Sequence, residues 1–315
     1  MKNNQILLII FLFIGCNENS ENIIDDNSGN PPDSGVTIMP VGPGAFHSEP
    51  SWSTDGETIT YYSYGYVGHD TIDEEVVWYR DPDSIGIWFI SPDGSNNIMF
   101  LKWGYSPDWS PDGDWIVFKY GQIYKIKVDG DSLTQLTFEG RNHFPAWSPD
   151  GKHIAYDSDI DDTKYDIWIM SADGGNKTNI SQESDSADQG GWRDPSWSPD
   201  GQWIIHERYI SNDEVGTEIF VMDASGANSH WLGHGSNPQF SPDSSRIIFV
   251  STNKESFGIW IMDSNGTNLS RLTDQGYWPS WSPDGDKIVY EGPEQVLWIM
   301  DANGENKRQL TSRPN

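Results

Sequence analysis

The chain has 315 residues, a formal net charge of −29 at pH 7 and a pI of about 4.2. Nucleic-acid binding depends on Lys and Arg side chains that neutralise phosphates, so this acidity argues against a nucleic-acid partner. It also argues against adhesion of a folded domain to anionic lipid, which needs clustered basic residues. Metal cations and basic partners are the ones that the charge favours.

The N-terminus has the features of an export signal. Lys2 precedes an apolar run over residues 6–14, which is shorter than the roughly 20 residues that a transmembrane helix needs. Residues 13–16, Phe-Ile-Gly-Cys, then resemble the bacterial lipobox, in which a peptidase cuts before a cysteine that carries lipid. We therefore expect a signal peptide over residues 1–15 and lipidation of Cys16. An ordinary signal peptide that contains a cysteine is the alternative.

A polar tract separates this signal from the rest of the chain. Cys16 is the only cysteine, so the chain cannot form an internal disulfide. Residues 17–35 are rich in Asn, Asp, Glu and Pro and too poor in apolar side chains to offset the entropy of ordering. We expect residues 16–35 to be a flexible lipidated linker and residues 36–315 to form the folded domain.

One short core recurs six times. Its common form is Pro-Ser-Trp-Ser-Pro-Asp-Gly, with a Phe in place of Trp in the fifth copy. The copies occupy residues 50–56, 107–113, 145–151, 195–201, 238–244 and 279–285. Ser-Pro-Asp-Gly predicts a turn, because Pro fixes φ, Asp caps the turn and Gly takes positive φ.

Three further strands are predicted after each turn. The second is a β-rich run, the third has the form Ile-Trp-Ile-Met, and the fourth is short, as over residues 134–137 and 308–311. Four-stranded units repeating at roughly 40–45 residues are typical of propeller blades. The sequence thus predicts an all-β, six-bladed propeller of four-stranded antiparallel blades. The aromatic stripes are expected to be core that stacks one blade on the next.

The Trp-Ser-Pro-Asp-Gly core and the later Ile-Trp-Ile-Met-Asp strand resemble the propeller repeat of the TolB family. The resemblance covers residues 50–311, and it implies the fold much more than the function, since one fold hosts many activities. TolB has an additional α/β domain before its propeller, where this chain has the linker. We therefore do not carry over a role in the Tol system.

Loop lengths indicate which face of the propeller carries function. The turns between first and second strands are uniform, whereas the loops between second and third strands range from residues 63–85 to the minimal 120–122. Function commonly lies in variable loops on a rigid scaffold. We place the site at the mouth of the central channel, on the face of these variable loops. The residues preceding each core proline are expected to ring this mouth: His47, Glu49, Tyr105, His143, Phe144, Arg193, Asp194, Asn237, Tyr277 and Trp278.

This ring could bind a peptide end, a glycan or a cation. A purely structural role is the alternative, with Glu49, Asp194 and Asn237 capping backbone amides and the aromatic side chains plugging the channel. A transition-metal site would need His47, His143 and His234 to converge from three loops. Such a site is similar to that of the oligogalacturonate lyases, which have seven blades. A calcium site is the other cation hypothesis, on alternate carboxylates at Asp157, Asp159 and Asp161.

The favoured function is a monomeric cell-envelope lipoprotein. It would be held at the membrane by its lipid alone and bind a protein, peptide or glycan at the channel mouth without catalysis. A metal-dependent polysaccharide lyase or hydrolase is the alternative function. The sequence also offers two segments that could close the ring. Residues 36–41 have the pattern of an outer strand, which gives seven candidate outer strands for six blades. We predict that residues 308–311 take the outer place of the last blade.

Overall fold

The computed structural model describes residues 47–72, 75–160, 164–181, 191–209 and 216–312, and within residues 67–81 it describes the backbone alone. The predicted calcium ligand Asp161, the lipidation site Cys16 and residues 36–41 lie outside the described residues. No helix in the described ranges is long and apolar enough to cross a membrane.

The described residues form six four-stranded antiparallel sheets, each built from four consecutive strands, which confirms the predicted propeller. Blade 1 contains β1 His47–Trp52, β2 Ile59–Ile72, β3 Glu75–Ile90 and β4 Ile98–Lys102. Blade 2 contains β5 Tyr105–Trp109, β6 Trp115–Tyr120, β7 Gln122–Lys127 and β8 Thr134–Gln135. Blade 3 contains β9 Asn142–Trp147, β10 His153–Ser158, β11 Asp166–Ser171 and β12 Thr178–Asn179.

The remaining three blades follow the same order. Blade 4 contains β13 Trp192–Trp197, β14 Trp203–Tyr209, β15 Thr217–Asp223 and β16 His230–His234. Blade 5 contains β17 Ser236–Phe240, β18 Arg246–Ser251, β19 Gly258–Asp263 and β20 Ser270–Arg271. Blade 6 contains β21 Tyr277–Trp281, β22 Lys287–Glu291, β23 Leu297–Asp301 and β24 Arg308–Gln309, with a short 3-10 turn at Pro293–Gln295.

The turn between the first two strands of each blade is held by its own side chains. In blade 3, Asp150 Oδ1 accepts hydrogen bonds from the Ser148 hydroxyl at 2.7 Å and the Lys152 amide at 3.0 Å. The hydroxyl bond lowers the pKa of Asp150 to about 2. Gly151 has φ of +69°, the left-handed conformation that the turn requires. The recurrence of Asp in these turns therefore reflects turn chemistry.

Apolar side chains fill every junction between adjacent blades. Between blades 5 and 6, for example, the buried side chains of Ile259 and Ile261 pack against Trp281 and Tyr290. This confirms that the Trp and Ile stripes are core. The inner-strand Trp109 and Trp197 are only half-buried, and Trp197 also borders a cavity of about 460 Å³ between blades 3 and 4, on the face of the uniform turns.

The ring closes between blades 6 and 1 as predicted, with the C-terminal segment as the outer strand of blade 6. That strand is shorter than expected, because only Arg308–Gln309 pairs with β23. The following Thr311 hydroxyl accepts the buried Leu297 amide at 2.9 Å and lies 2.8 Å from Nδ1 of His47 in blade 1. The first inner strand and the last residues of the propeller are thus joined directly.

One prediction about loops is wrong. Residues 63–85 were expected to form a long loop, but β2 and β3 continue as a paired ribbon almost to its tip, with Ile72 opposite Glu75. The reason lies in the sequence of this segment, where Val, Tyr, Thr and Trp recur, which are residue types that favour β structure. Tyr66 at the base of the ribbon packs on Val296 of blade 6.

Candidate functional site at the channel mouth

The residue before each core proline has the same unusual backbone conformation in all six blades. Positive φ is uncommon for residues other than Gly, and a following proline restricts the backbone further. The six values lie in the left-handed region, for Glu49 at 53°, Ser106 at 51°, Phe144 at 44°, Asp194 at 52°, Asn237 at 49° and Trp278 at 51°.

Each of these residues lies at a break in the pairing of its inner strand with the second strand. In blade 1 the register shifts between Ser48 and Ser51, and the other five inner strands shift at the same place. A β-bulge re-aims a side chain, and such strain persists where the surrounding structure enforces it. The bulges therefore bring one side chain from every blade to a common level of the channel.

Two of these side chains meet across the channel. Phe144 belongs to blade 3 and Trp278 to blade 6, three blades further round the ring. Their rings stack with centroids 5.4 Å apart and planes inclined by 27°. Both side chains are half-buried, so the pair closes the channel at this level while one side stays open to solvent.

The polar residues of the ring connect neighbouring blades. Glu49 Oε2 accepts the Ser106 amide at 2.6 Å, and Asp194 Oδ2 accepts Nδ2 of Asn237 at 3.1 Å. The Asn237 amide in turn donates to Glu207 Oε2 at 3.2 Å. Amide capping by Glu49 is thus a feature of the structure.

A second set of channel residues was missed by the sequence analysis. In blades 2, 3, 4 and 6, the fifth residue of the second strand pairs with an inner-strand residue of the mouth. These cross-strand pairs are Lys119 with Tyr105, Asp157 with His143, Glu207 with Arg193 and Glu291 with Tyr277. A charged residue in an otherwise apolar strand, recurring at one place in four of six repeats, was the available signal.

Burial perturbs these carboxyl groups strongly. It raises the pKa of Glu291 to about 8, against a weaker opposing effect of the hydrogen bond with Ser48. Burial and then the charge of Glu207 raise the pKa of Asp194, and burial likewise raises that of Glu207. Perturbed groups of this kind are concentrated at functional sites, although structural networks also produce them.

The three histidines of the metal hypothesis take different positions. His47 contacts Thr311, and burial lowers its pKa to about 4. His143 Nδ1 lies 3.4 Å from Oδ2 of Asp157. His234 ends the outer strand of blade 4, where its ring centroid lies 5.4 Å from that of Trp231. In the described part of the chain, no group of three or more His, Cys, Asp or Glu residues is arranged to hold a metal ion.

The carboxylates of the calcium hypothesis also separate. Asp157 lies inside the channel wall and is fully buried. Asp159 accepts the Arg141 amide at 2.7 Å and Nε of the same residue at 2.6 Å. The two are therefore engaged in different environments, and calcium binding here stays a prediction.

A family model described as the TolB beta propeller domain matches residues 137–314, more than half of the chain. The chain belongs to this family. The TolB propeller resemblance seen in the repeats is thereby confirmed, and the matched range contains four of the six blades with the blade 3 and blade 6 aromatics of the mouth.

Individual relatives agree with this assignment. An uncharacterized protein of Agrobacterium fabrum is 26% identical over 197 residues, which are 59% of this chain and 64% of that protein. The match thus spans less than two thirds of the relative's length. The structure of a putative TolB from Agrobacterium tumefaciens superposes with a TM-score of 0.57 at 27% identity, over 65% of this chain and 79% of that one.

TolB from Acinetobacter baumannii shares the fold, with a TM-score of 0.62 at 20% identity over 80% of this chain and 62% of that one.

Proposed function

We propose that this TolB propeller is a cell-envelope lipoprotein that binds an extended segment of a partner protein at the channel mouth, without catalysing a reaction. The chain would be exported by its first 15 residues and held at the membrane by lipid on Cys16. Family membership and the lipobox-like residues 13–16 support the envelope location.

The observation that carries the proposal is the ring of six left-handed residues before the core prolines. A scaffold needs no such strain to close a channel, whereas a binding site gains from side chains held in one orientation before the ligand arrives. The ring combines the Phe144–Trp278 pair with carboxylates and with Arg193. Aromatic and Arg side chains are the residue types that contribute most to protein–protein binding.

A protein or peptide fits this mouth better than a large flat partner. The half-buried aromatic pair lies at the bulge level of the inner strands, and the long ribbon of blade 1 flanks the same face. An extended segment can pass beside this ribbon and reach the aromatic pair, whereas the ribbon would keep a broad, flat surface away from it. Each aromatic contact buries apolar area and leaves polar neighbours to fix the direction of the segment.

Affinity purification from envelope extract tests this proposal. Trp278→Ala removes one half of the aromatic pair, and the variant should retain its fold while losing the partner recovered with the unmodified protein. Gln202→Ala changes an exposed residue on the opposite face and serves as the matched control. Recovery of the same partner by both variants would contradict a binding site at the mouth.

A further inference from the structure

One position in each blade covers the inner-strand aromatic side chain of the next blade, on the face of the uniform turns. The carbonyl of its residue accepts the amide of the turn serine, as Trp115 does for Ser110 at 2.9 Å. Trp115 packs in the core cluster of Trp147, and Trp203 packs in that of Phe240. In chain order, this covering position holds Thr58, Trp115, His153, Trp203, Arg246 and Lys287.

In blade 5 the covering residue is a cation. The guanidinium of Arg246 lies 5.2 Å from the ring centroid of Trp281 in blade 6. Its charge also acts on Asp243 in the turn of its own blade. The pKa of Asp243 is lowered to about 2, first by the Ser241 hydroxyl and in smaller part by Arg246. This place in the fold therefore suits a guanidinium group between an indole ring and a turn carboxylate.

Between blades 3 and 4 the covering residue leaves much of the indole open. His153 is 47% exposed, and Trp197 in the next blade is half-buried, whereas its equivalent Trp281 is only 5% exposed. Trp109 is half-buried too, but the ring of Phe89 stacks on it with centroids 5.7 Å apart. Blade 3 has Ile169 at the strand position of Phe89, and Ile169 is itself half-buried. The surface of Trp197 thus faces the cavity of about 460 Å³.

The walls of this cavity are of two kinds. Trp197, Ile169 and two prolines supply apolar surface, and Asp150 and Asp200 supply carboxyl groups. Turn serine hydroxyls lower the pKa of both carboxyl groups, so both are ionised at neutral pH. Asp150 has Nζ of Lys152 at 3.3 Å, but this pair is exposed and contributes little. Within the described ranges, Asp200 has no cationic partner.

We propose that this cavity binds a small organic cation of the guanidinium class, which stacks on Trp197 and donates hydrogen bonds to Asp200 or Asp150. A guanidinium group is planar, lies favourably over an indole ring and carries several N–H donors that match a carboxylate. Two carboxylates on the wall disfavour an anion. The volume of about 460 Å³ lies in the range of sites that enclose a whole small molecule.

The blade 5 arrangement supplies the geometric argument for this ligand. Arg246, Trp281 and Asp243 occupy the positions that His153, Trp197 and Asp150 occupy in the neighbouring part of the ring. The ligand therefore supplies to blades 3 and 4 the group that the chain itself supplies to blades 5 and 6. The site lies on the face opposite the channel mouth and does not depend on the proposed function.

Titration of the full chain with butylguanidinium and with butylurea tests the inference. The two molecules have nearly the same shape, but only the first is charged. We expect butylguanidinium to bind at a single site with a Kd of about 1 mM, as a molecule of about eight non-hydrogen atoms can. Butylurea should bind at least about tenfold more weakly, because it lacks the charge that the indole ring and the carboxylates attract. Saturation-transfer NMR and calorimetry measure both.

Variants locate the site. His153→Arg places the chain's own guanidinium over Trp197, as Arg246 lies over Trp281, and should abolish binding of butylguanidinium. Lys287→Arg is the matched control, because it puts Arg at the covering position of blade 6, away from the cavity, and should leave binding unchanged. Trp197→Leu should weaken binding at least about tenfold. If that variant fails to fold by circular dichroism, His153→Arg alone decides.

Three results would overturn the inference. The first is equal affinity for butylguanidinium and butylurea, and the second is no saturable binding of butylguanidinium to the unmodified protein. The third is binding that His153→Arg leaves unchanged or that Lys287→Arg abolishes as well. Partner recovery that depends on Trp278 is a separate measurement, so none of these results bears on the channel mouth.

Discussion

Phe144 and Trp278 stack on each other from opposite sides of the ring, with centroids 5.4 Å apart. Each residue precedes a proline and has positive φ, so the strained backbone of two distant blades is what brings the rings together. The pair closes the channel and presents an apolar surface to solvent between charged neighbours. This contact makes the mouth, and not the channel as a whole, the candidate binding surface.

Inner-strand tryptophans should differ in their contribution to stability. Trp281 is buried against blade 5, so Trp281→Ala should reduce the free energy of unfolding by about 3–5 kcal/mol, as large core truncations do. Trp197 borders the cavity between blades 3 and 4 and loses fewer contacts. Chemical denaturation should show Trp197→Ala to be less destabilising by about 1 kcal/mol or more. An equal or larger loss at Trp197 would show that its environment is as closely packed as that of Trp281.

Ring closure makes Thr311 more important than its equivalents in other blades. Thr311→Val leaves the buried Leu297 amide without an acceptor and removes the contact with His47, which should cost about 1–3 kcal/mol. Thr137→Val removes the corresponding bond to Ile123 inside blade 2 and is the matched control. In thermal unfolding, the Tm of Thr311→Val should be lower than that of Thr137→Val. The reverse order would mean that the two ends of the ring are held together elsewhere.

Stability should depend on pH through Glu291. Its pKa rises from 4.5 to about 8 on folding, so the folded state holds a proton that the unfolded state releases between these values. The free energy of unfolding therefore falls with increasing pH across this window, by up to about 1.4 kcal/mol per pH unit. Glu291→Gln removes this loss, so its advantage over the unmodified protein should grow from pH 5 to pH 8.5.

Denaturation curves at several pH values check this expectation. The exposed turn residue Glu305 provides the control, because Glu305→Gln should leave the pH dependence of stability unchanged. Parallel curves for Glu291→Gln and the unmodified protein would contradict the buried, protonated state of Glu291.

Membrane attachment should depend on Cys16. Cys16→Ser should move the protein from the membrane to the soluble fraction of a cell lysate, because the proposed multiply acylated anchor is then lost. Ser20→Ala changes a nearby polar residue and should leave fractionation as it is. Retention of the Cys16 variant in membranes at high salt would rule out the lipid as the anchor.

The fold could be predicted from the sequence because the same four-strand unit is repeated six times. Each Ser-Pro-Asp-Gly turn fixes the connection of two strands, and repetition removes the ambiguity that a single short strand leaves. The length of the outer strands could not be predicted, since two pairing residues such as Arg308–Gln309 have no pattern of their own. The ribbon of blade 1 could not be told from a loop by the spacing of the repeats, because spacing gives the length of a connection and not its conformation.

The site could be predicted only in part. Residues before the core prolines were placed at the mouth because topology decides where inner strands begin. The contact of Phe144 with Trp278 depends on positive φ at both residues, which sequence does not reveal for an aromatic residue before proline. His234 lies apart from His47 and His143 because it belongs to the outer strand of blade 4. The structure, and not the sequence, revealed that this strand extends to His234.

Site-specific photo-cross-linking in living cells tests the central claim most directly. A photoreactive phenylalanine analogue replaces Phe144 at the mouth in one variant and Gln202 on the opposite face in another. We predict that the analogue at position 144 captures a discrete envelope protein and that the analogue at position 202 captures none. Capture of the same protein from position 202 and not from position 144 would contradict the mouth as the binding site.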